Sequence, residues 1–338
     1  MRPFILGLMG LSLLSPIQAS YAADVPVRFS LDWVFDGATA EVLQAEAKGY
    51  FKDEGLAVTV DRGYGAGDTI SKIASGAYQF AIGDVTALIE YNALHPDQPL
   101  VGVMMLYDKS AFSIITTTDK NIKTIADLKD RQIGALTNET MSRLFPTLAK
   151  LNGLDPARAP LQNVSGQIRD TLLRTGKVDA VIGFFTTTSF NLETNGVPKD
   201  QVRYFKYTDH GLDLYGSAII AKADYVSQNP KVVVGMVKAL THGLIDTIKN
   251  PAATIPLVKA RNSLIDDAIE LRRLEFTLKE IIVTPHVQAN GLGGVDQARL
   301  AKHIDIVTEA LALPAKPSAS SVFTTEFLPS ADLRRIPK

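Results

Sequence analysis

Between residues 27 and 183, short apolar runs alternate with amphipathic stretches, and this rhythm constrains the fold more than any other feature of the 338-residue chain. Residues 27–31 alternate apolar side chains and stop at Asp32-Trp33; residues 39–48 then place Val42, Leu43 and Ala45 on one helical face. A second β-type run at 56–60 leads into the loop Gly63-Tyr64-Gly65-Ala66-Gly67 and a helix that Asp68-Thr69 can cap. Residues 80–82 read as a short strand ending at Gly83-Asp84, followed by a helix over 85–92. Strands over 100–106, 112–116, 132–135, 161–164 and 180–183, with helices over 140–151 and 167–175, continue the pattern, and strands at 202–207 and 217–220 close it. Strands alternating with helices imply mostly parallel sheets covered on both faces, so the chain is expected to be α/β. From Asn229-Pro230 onward the character changes to long amphipathic helices over 230–249, 252–261, 265–277 and 296–311, with Pro230 suited to a first helical turn. No repeat, low-complexity tract or long Pro or Ser linker interrupts the chain, so its units must be joined by structural crossovers.

The amino end carries its own signal. Met1-Arg2-Pro3 is followed by an apolar run over 4–14 and then Ser20-Tyr21-Ala22-Ala23, the pattern of a secretory signal peptide over 1–22 with a cut after Ala22. Beyond it there is no run of ~18 uncharged apolar residues, so the mature chain is expected to be exported and unanchored. The absence of cysteine excludes disulfides and thiolate metal sites, and removes the thiol that a lipid-anchored receptor needs. The expected location is therefore the periplasm. Lys and Arg total 35 against 36 Asp and Glu, a balance that gives no footprint for nucleic acid or an anionic membrane.

Leu31-Asp32-Trp33, followed by Ala47-Lys48-Gly49-Tyr50-Phe51-Lys52-Asp53-Glu54-Gly55-Leu56-Ala57-Val58, resembles the opening of the sulfonate, nitrate and thiamine-pyrimidine-precursor receptors of ABC importers. Gly65-Ala66-Gly67-Asp68, the stretch 73–80, Ile82-Gly83-Asp84-Val85, the stretch 122–129, and Gly176-Lys177-Val178-Asp179-Ala180 match later blocks of that family in order. The resemblance runs from about residue 25 to 250. It implies a two-lobed periplasmic-binding-protein fold, each lobe a mostly parallel sheet flanked by helices, the two joined by two crossover strands. One lobe would hold residues 24–111 plus 209–338 and the other 112–208. It also implies a monomer that captures a small-molecule ligand between the lobes and delivers it to the membrane permease of an ABC importer, with no cofactor. The segment from Gly49 to Leu56 has a plain structural job as well, since Gly49 can end one helix and Gly55 can turn into the next strand.

In parallel sheets, ligands sit beyond the carboxyl ends of the strands, where helix starts present free amides. The candidates are therefore Asp32 and Trp33 after the first strand; Gly65, Ala66 and Asp68 after the second; and Asp84 after the third. In the second lobe they are Asn138, Thr140, Phe184 and Phe185, and near the second crossover Tyr215. Trp33, the sole tryptophan, can stack on a planar ligand or pack within its lobe. Asp32 can accept from a ligand amine or cap its turn, Asp84 and the 137–140 segment can likewise bind or cap, and alternation allows only one of Phe184 and Phe185 to face the cleft. Asp32, Asp84 and Glu139 outweigh Arg62 and Arg143, which can face elsewhere, and this favours a neutral or cationic ring such as an aminopyrimidine. A sulfonate held by helix ends alone stays open.

The resembling family includes a single-turnover enzyme that builds a thiamine pyrimidine and consumes its own histidine. Aligned on Leu31-Asp32-Trp33, that position is Thr39 here, which joins the candidate ligand contacts, and the Cys-rich motif of that enzyme is absent. His95, His210, His242, His286 and His303 lie on separate segments without metal-ligand spacing and are expected at the surface. No GxSxG elbow, phosphate-cradling loop or catalytic carboxylate pair is present. A receptor that feeds a sensor in place of a transporter is the further alternative.

Overall fold

The computed structural model describes residues 23–336; the expected signal peptide over 1–22 lies outside them. Ten strands form two five-stranded sheets. The first holds β1 (Val25–Ser30), β2 (Leu56–Asp61), β3 (Phe80–Asp84), β4 (Leu100–Met105) and β10 (Ser217–Lys222), in the order β2-β1-β3-β10-β4. The second holds β5 (Phe112–Thr117), β6 (Ile133–Ala135), β7 (Leu161–Asn163), β8 (Ala180–Phe184) and β9 (Val202–Lys206), in the order β7-β6-β8-β5-β9. The two orders are the same plan repeated.

One strand in each sheet runs against its neighbours. β10 is antiparallel to β3 and β4, and β5 is antiparallel to β8 and β9, while β1 pairs in parallel with β2 and β3, and β6 with β7 and β8. β5 and β10 are the strands that follow the two crossings between sheets. Because each starts at the junction and runs away from it, the strands beside it run towards it. Their carboxyl ends, with the helix starts that follow, are thereby collected at the junction.

Period-two burial supports each sheet on both sides. Phe29, Phe80, Ile82, Ile219 and Ala221 enter one cluster of the first lobe, whereas Ala81, Ala218 and Ile220 enter the cluster on its opposite face. In the second lobe Ile114, Ala180 and Ile182 face one cluster, and Ile115 and Val181 the other.

The crossings themselves, 106–111 and 207–216, are irregular, yet they pair with one another: Leu106 N donates to Ser217 O at 3.0 Å, Ser110 N to Leu214 O at 3.0 Å and Gly216 N to Tyr107 O at 2.9 Å. Arg299, on the helix Gln297–Ala310, donates to Asp108 O at 2.8 Å and to Leu214 O at 3.3 Å, tying both crossings to the first lobe.

Most expected elements stand within one to three residues of their places, and the helix Pro230–Lys249 stands where the pattern put it. The helix expected over 140–151 is instead two, Thr140–Arg143 and Phe145–Leu151. Pro146 has no N–H to return to the Ser142 carbonyl, and the helix is interrupted at Leu144. The helix after β2 begins at Ala66, ahead of the expected cap. His303 departs from its expected surface position: it is fully buried, with Thr86 Oγ1 at 3.1 Å and Tyr215 N donating to Nδ1 at 3.2 Å, and burial pushes its pKa down to about 3.

Candidate functional site

The ends of β1, β2, β3, β6 and β8 surround one cavity of about 870 Å³, its open mouth included. Eight of the expected residues line it: Asp32, Trp33, Thr39, Gly65, Ala66 and Asp84 beside the first sheet, and Thr140 and Phe184 beside the second.

Main-chain bonds between two loops build the first wall. Gly63 N donates to Trp33 O at 2.8 Å and Gly65 N to Asp32 O at 2.9 Å, so the loop after β2 holds the Asp32-Trp33 turn in place. The Trp33 ring reaches across the junction to Gly166, at the start of the helix Gly166–Arg174, where a Cβ would lie 3.1 Å from its Cη2. Thr39 is buried and its hydroxyl donates to Asp36 O at 3.2 Å. Asp84 caps the helix Val85–Leu94: its Oδ1 accepts from Thr86 N at 2.8 Å and Ala87 N at 3.3 Å. Its Oδ2, also buried, has no partner. Asp84 therefore caps its helix with one oxygen, and the residue also lines the cavity.

Four expected contacts lie elsewhere. Phe185 is fully buried in the first lobe's core, stacked on Tyr204 at 5.2 Å and edge-on to Phe276 at 5.7 Å, so Phe184 is the member of the pair at the cavity. Tyr215 is buried at the crossing, its hydroxyl accepting from Asp296 N at 2.8 Å and its ring 4.0 Å from the Arg299 guanidinium carbon. Asp68 faces its own helix, accepting from Tyr64 N at 3.1 Å and pairing with Lys72 at 2.7 Å. Asn138 lines an outer cleft that shares Trp33, Asp36 and Leu136 with the cavity.

The cavity also holds residues absent from the candidate set, among them Asp36, Tyr107, Phe112 and Arg169, as well as Glu139, which entered only the charge argument. Arg169 lies one turn inside the helix that follows β7, so a search confined to residues next to strand ends passes over it. Neither Arg62 nor Arg143 lines the cavity: Arg62 lies over Tyr64 at 4.5 Å, and Arg143 pairs with Glu90. Arg169 is itself engaged, donating to Asp170 Oδ1 at 2.8 Å and to Thr188 Oγ1 at 2.6 Å.

Four carboxyl groups, Asp32, Asp36, Asp84 and Glu139, therefore share the cavity with one occupied cation. Burial raises the pKa of Asp32 to about 7, with Asp36 adding to the rise. Burial also raises Asp36 to about 6 against the pull of Arg273, and Asp84 to about 7 against the Thr86 side chain and the helix amides. Near neutral pH such groups can either accept or donate a hydrogen bond.

The two lobes are bridged around this cavity. Thr140 Oγ1 donates to Glu90 Oε2 at 3.0 Å beside the Arg143–Glu90 pair, Arg272 pairs with Glu193 at 2.5 Å and Lys206 with Glu280 at 2.6 Å. Arg273, only 3% exposed, contacts Glu270 at 3.0 Å and Asp36 at 3.6 Å in the first lobe and donates to Thr187 O at 3.2 Å and Asn191 Oδ1 at 3.1 Å in the second. The lobes are thus drawn together over the cavity.

The family model described as NMT1/THI5 like matches residues 38–254, which include the cavity-lining residues of both lobes except Asp32, Trp33 and Asp36. The chain belongs to the NMT1/THI5-like family. A Haemophilus influenzae protein named "Putative thiamine biosynthesis protein" is 28% identical over 212 residues, 63% of this chain and 65% of its own, just under two thirds of that protein. The riboflavin-binding protein RibY of Chloroflexus aurantiacus is 23% identical and aligns over 93% of this chain and 92% of its own. The formylaminopyrimidine-binding protein of Halalkalibacterium halodurans is 24% identical over 72% and 74%. Among solved structures, the periplasmic aliphatic sulphonate binding protein SsuA of Escherichia coli superposes with a TM-score of 0.67 at 16% identity, covering 87% of this chain and 96% of that one. The two-lobed fold is thus shared, and these relatives and this neighbour include solute-binding proteins for quite different ligands. Among the described residues, no helix is long and apolar enough to cross a membrane and no cluster of metal-ligating side chains occurs.

Proposed function

We propose that this protein is the periplasmic substrate-binding component of an ABC importer, a monomer that captures a small planar solute rich in N–H donors, of the aminopyrimidine class, and presents it to a membrane permease. The observation that carries the reading is the composition of the cavity: four carboxyl groups and the Trp33 ring, contributed from both lobes, with its one arginine already paired. A planar ring stacks on Trp33 while its amino groups donate to Asp32 and to the free Oδ2 of Asp84. The formylaminopyrimidine-binding relative supports the same class. Residues 24–111 plus 209–338 and residues 112–208 are the lobes of this reading, a division supported by the membership of the two sheets.

Closure follows from contacts made from both lobes. A ligand touching Asp32, Trp33 and Asp84 on one side and Phe184 on the other binds the closed arrangement in preference to an open one, and the paired crossings are where the chain would bend. No bond need be made or broken. Thr39, which the family resemblance sets at the position of a reactive histidine, spends its hydroxyl on Asp36 O.

A thermal-shift screen of protein refolded from denaturant tests the reading, with aminopyrimidines, alkanesulfonates, nitrate, aromatic carboxylates and flavins as probes. A ligand at about 100 times its Kd adds about 2.7 kcal/mol to the folded state. A rise of several degrees with aminopyrimidines is expected. A rise with sulfonates or nitrate alone would overturn the ligand class.

A further inference from the structure

The amino end of the helix Ala66–Ala74 belongs to the first lobe, yet the carboxylate that meets it comes from the second. Glu139 follows β6, and its Oε1 lies 2.7 Å from the point where a Cβ on Gly65 would stand. Gly65 has φ of 112°, a conformation that glycine adopts freely, so no side chain separates the two lobes at this corner. The amides of Gly67 and Ala66 favour the charged form of Glu139 against the burial that raises its pKa. The first-turn acid of the helix, Asp68, is committed to Tyr64 N and Lys72. Asp84, which lines the same cavity as Glu139, is 3% exposed and its Oδ2 has no partner.

A helix start of this kind takes one anion, because its free amides and dipole both favour negative charge. Here the protein supplies that anion itself. We propose that Glu139 is a specificity-determining residue: as the lobes meet, it takes the anion position at the start of the helix Ala66–Ala74 and closes the cleft to ligands that bring a sulfonate or similar group to that corner. The proposal rests on the cavity being the ligand site. An incoming anion must either displace Glu139 or face it and Asp84 together, a like-charge encounter that rejects wrong partners. A ligand that presents N–H groups meets an unpaired acceptor in Asp84 Oδ2. Glu139 also adjoins Thr140, whose hydroxyl bonds Glu90 of the first lobe, so selection and closure share one turn of chain.

The test is calorimetric titration of methanesulfonate into wild type, Glu139→Gln and Glu139→Ala, with thermal midpoints recorded for each. The alanine variant vacates the helix start and is expected to bind methanesulfonate about tenfold or more tighter than wild type; the isosteric glutamine variant removes only the charge and should gain about threefold. The glutamine variant carries the test should the alanine variant fail to fold. Folded variants that bind methanesulfonate no better than wild type would overturn the proposal, as would a wild type that already binds it as tightly as they do. Titration of 2,4-diaminopyrimidine into wild type examines the ligand class separately: its failure would remove the aminopyrimidine assignment, while the effect of Glu139 on methanesulfonate is read without it.

Discussion

Glu41 lies behind the cavity on the helix Ala40–Ala47, 2% exposed, and neither of its carboxyl oxygens has a hydrogen-bond partner. Burial raises its pKa from 4.5 to about 8, with a smaller push from Asp32 and Asp36. The folded-state value stands above the unfolded one, so folding favours the protonated acid. That stabilisation is whole below about pH 4.5, is lost progressively as pH rises, and falls no further above about pH 8. Each pH unit between these limits is worth about 1.4 kcal/mol, so from pH 5 to pH 9 the wild type loses about 4 kcal/mol through this residue. Glu41→Gln removes the titration and leaves a nearly isosteric neutral amide, whose own hydrogen-bonding cost is independent of pH. Urea unfolding of both proteins without ligand, at one-unit intervals from pH 5 to pH 9, should show the mutant gaining on the wild type by about 4 kcal/mol, with the gain levelling near pH 8. A stability difference that stays flat across that range would refute the reasoning, since Glu41 would then be ionised in the folded protein or reached by water.

Trp33→Ala should weaken 2,4-diaminopyrimidine binding about tenfold, from lost stacking and lost apolar contact, while the thermal midpoint moves by no more than about 3 °C; calorimetry and circular dichroism check the two halves. Asp84→Asn keeps an oxygen to cap the helix Val85–Leu94 but exchanges the free acceptor, so affinity should fall by about tenfold or more with stability held within about 1 kcal/mol. Arg273→Met should cost about 3–5 kcal/mol in urea unfolding, because it leaves Asp36 and Glu270 buried without their cation, and a loss below about 1 kcal/mol would show that the bridge between the lobes contributes little.

The architecture was legible because hydrophobic period and helix-start chemistry are local. The alternation that marks β1, the short apolar run of β3, and the apolar faces of the C-terminal helices survive tertiary packing unchanged. The rule that ligands gather past strand ends brought Asp32, Trp33, Gly65, Ala66, Asp84, Thr140 and Phe184 to one cavity, and the family resemblance added Thr39. Where it failed, the deciding contact was distant. Phe185 turns into the core because Tyr204 and Phe276 receive it, and Phe276 lies some ninety residues on. Tyr215 is held by Asp296 and Arg299, which nothing near it in sequence announces. His303 reads as a surface residue on a polar stretch, yet Thr86 and Tyr215 enclose it. Asp68 is a different case, since the four-residue spacing to Lys72 on a helix already offers it a partner. Arg169 required following the chain one turn past the end of a strand.

The chain holds a single tryptophan, and it lines the cavity, so intrinsic fluorescence reports on the proposed site without interference from other indoles. Titrating refolded protein with 2,4-diaminopyrimidine while following that emission shows whether the cavity takes an aminopyrimidine ring. A saturable change with one-to-one stoichiometry is expected, its midpoint moved to about tenfold or more higher ligand concentration in Asp84→Asn. An emission that stays constant through millimolar aminopyrimidine but saturates with an alkanesulfonate or nitrate would contradict the aminopyrimidine assignment.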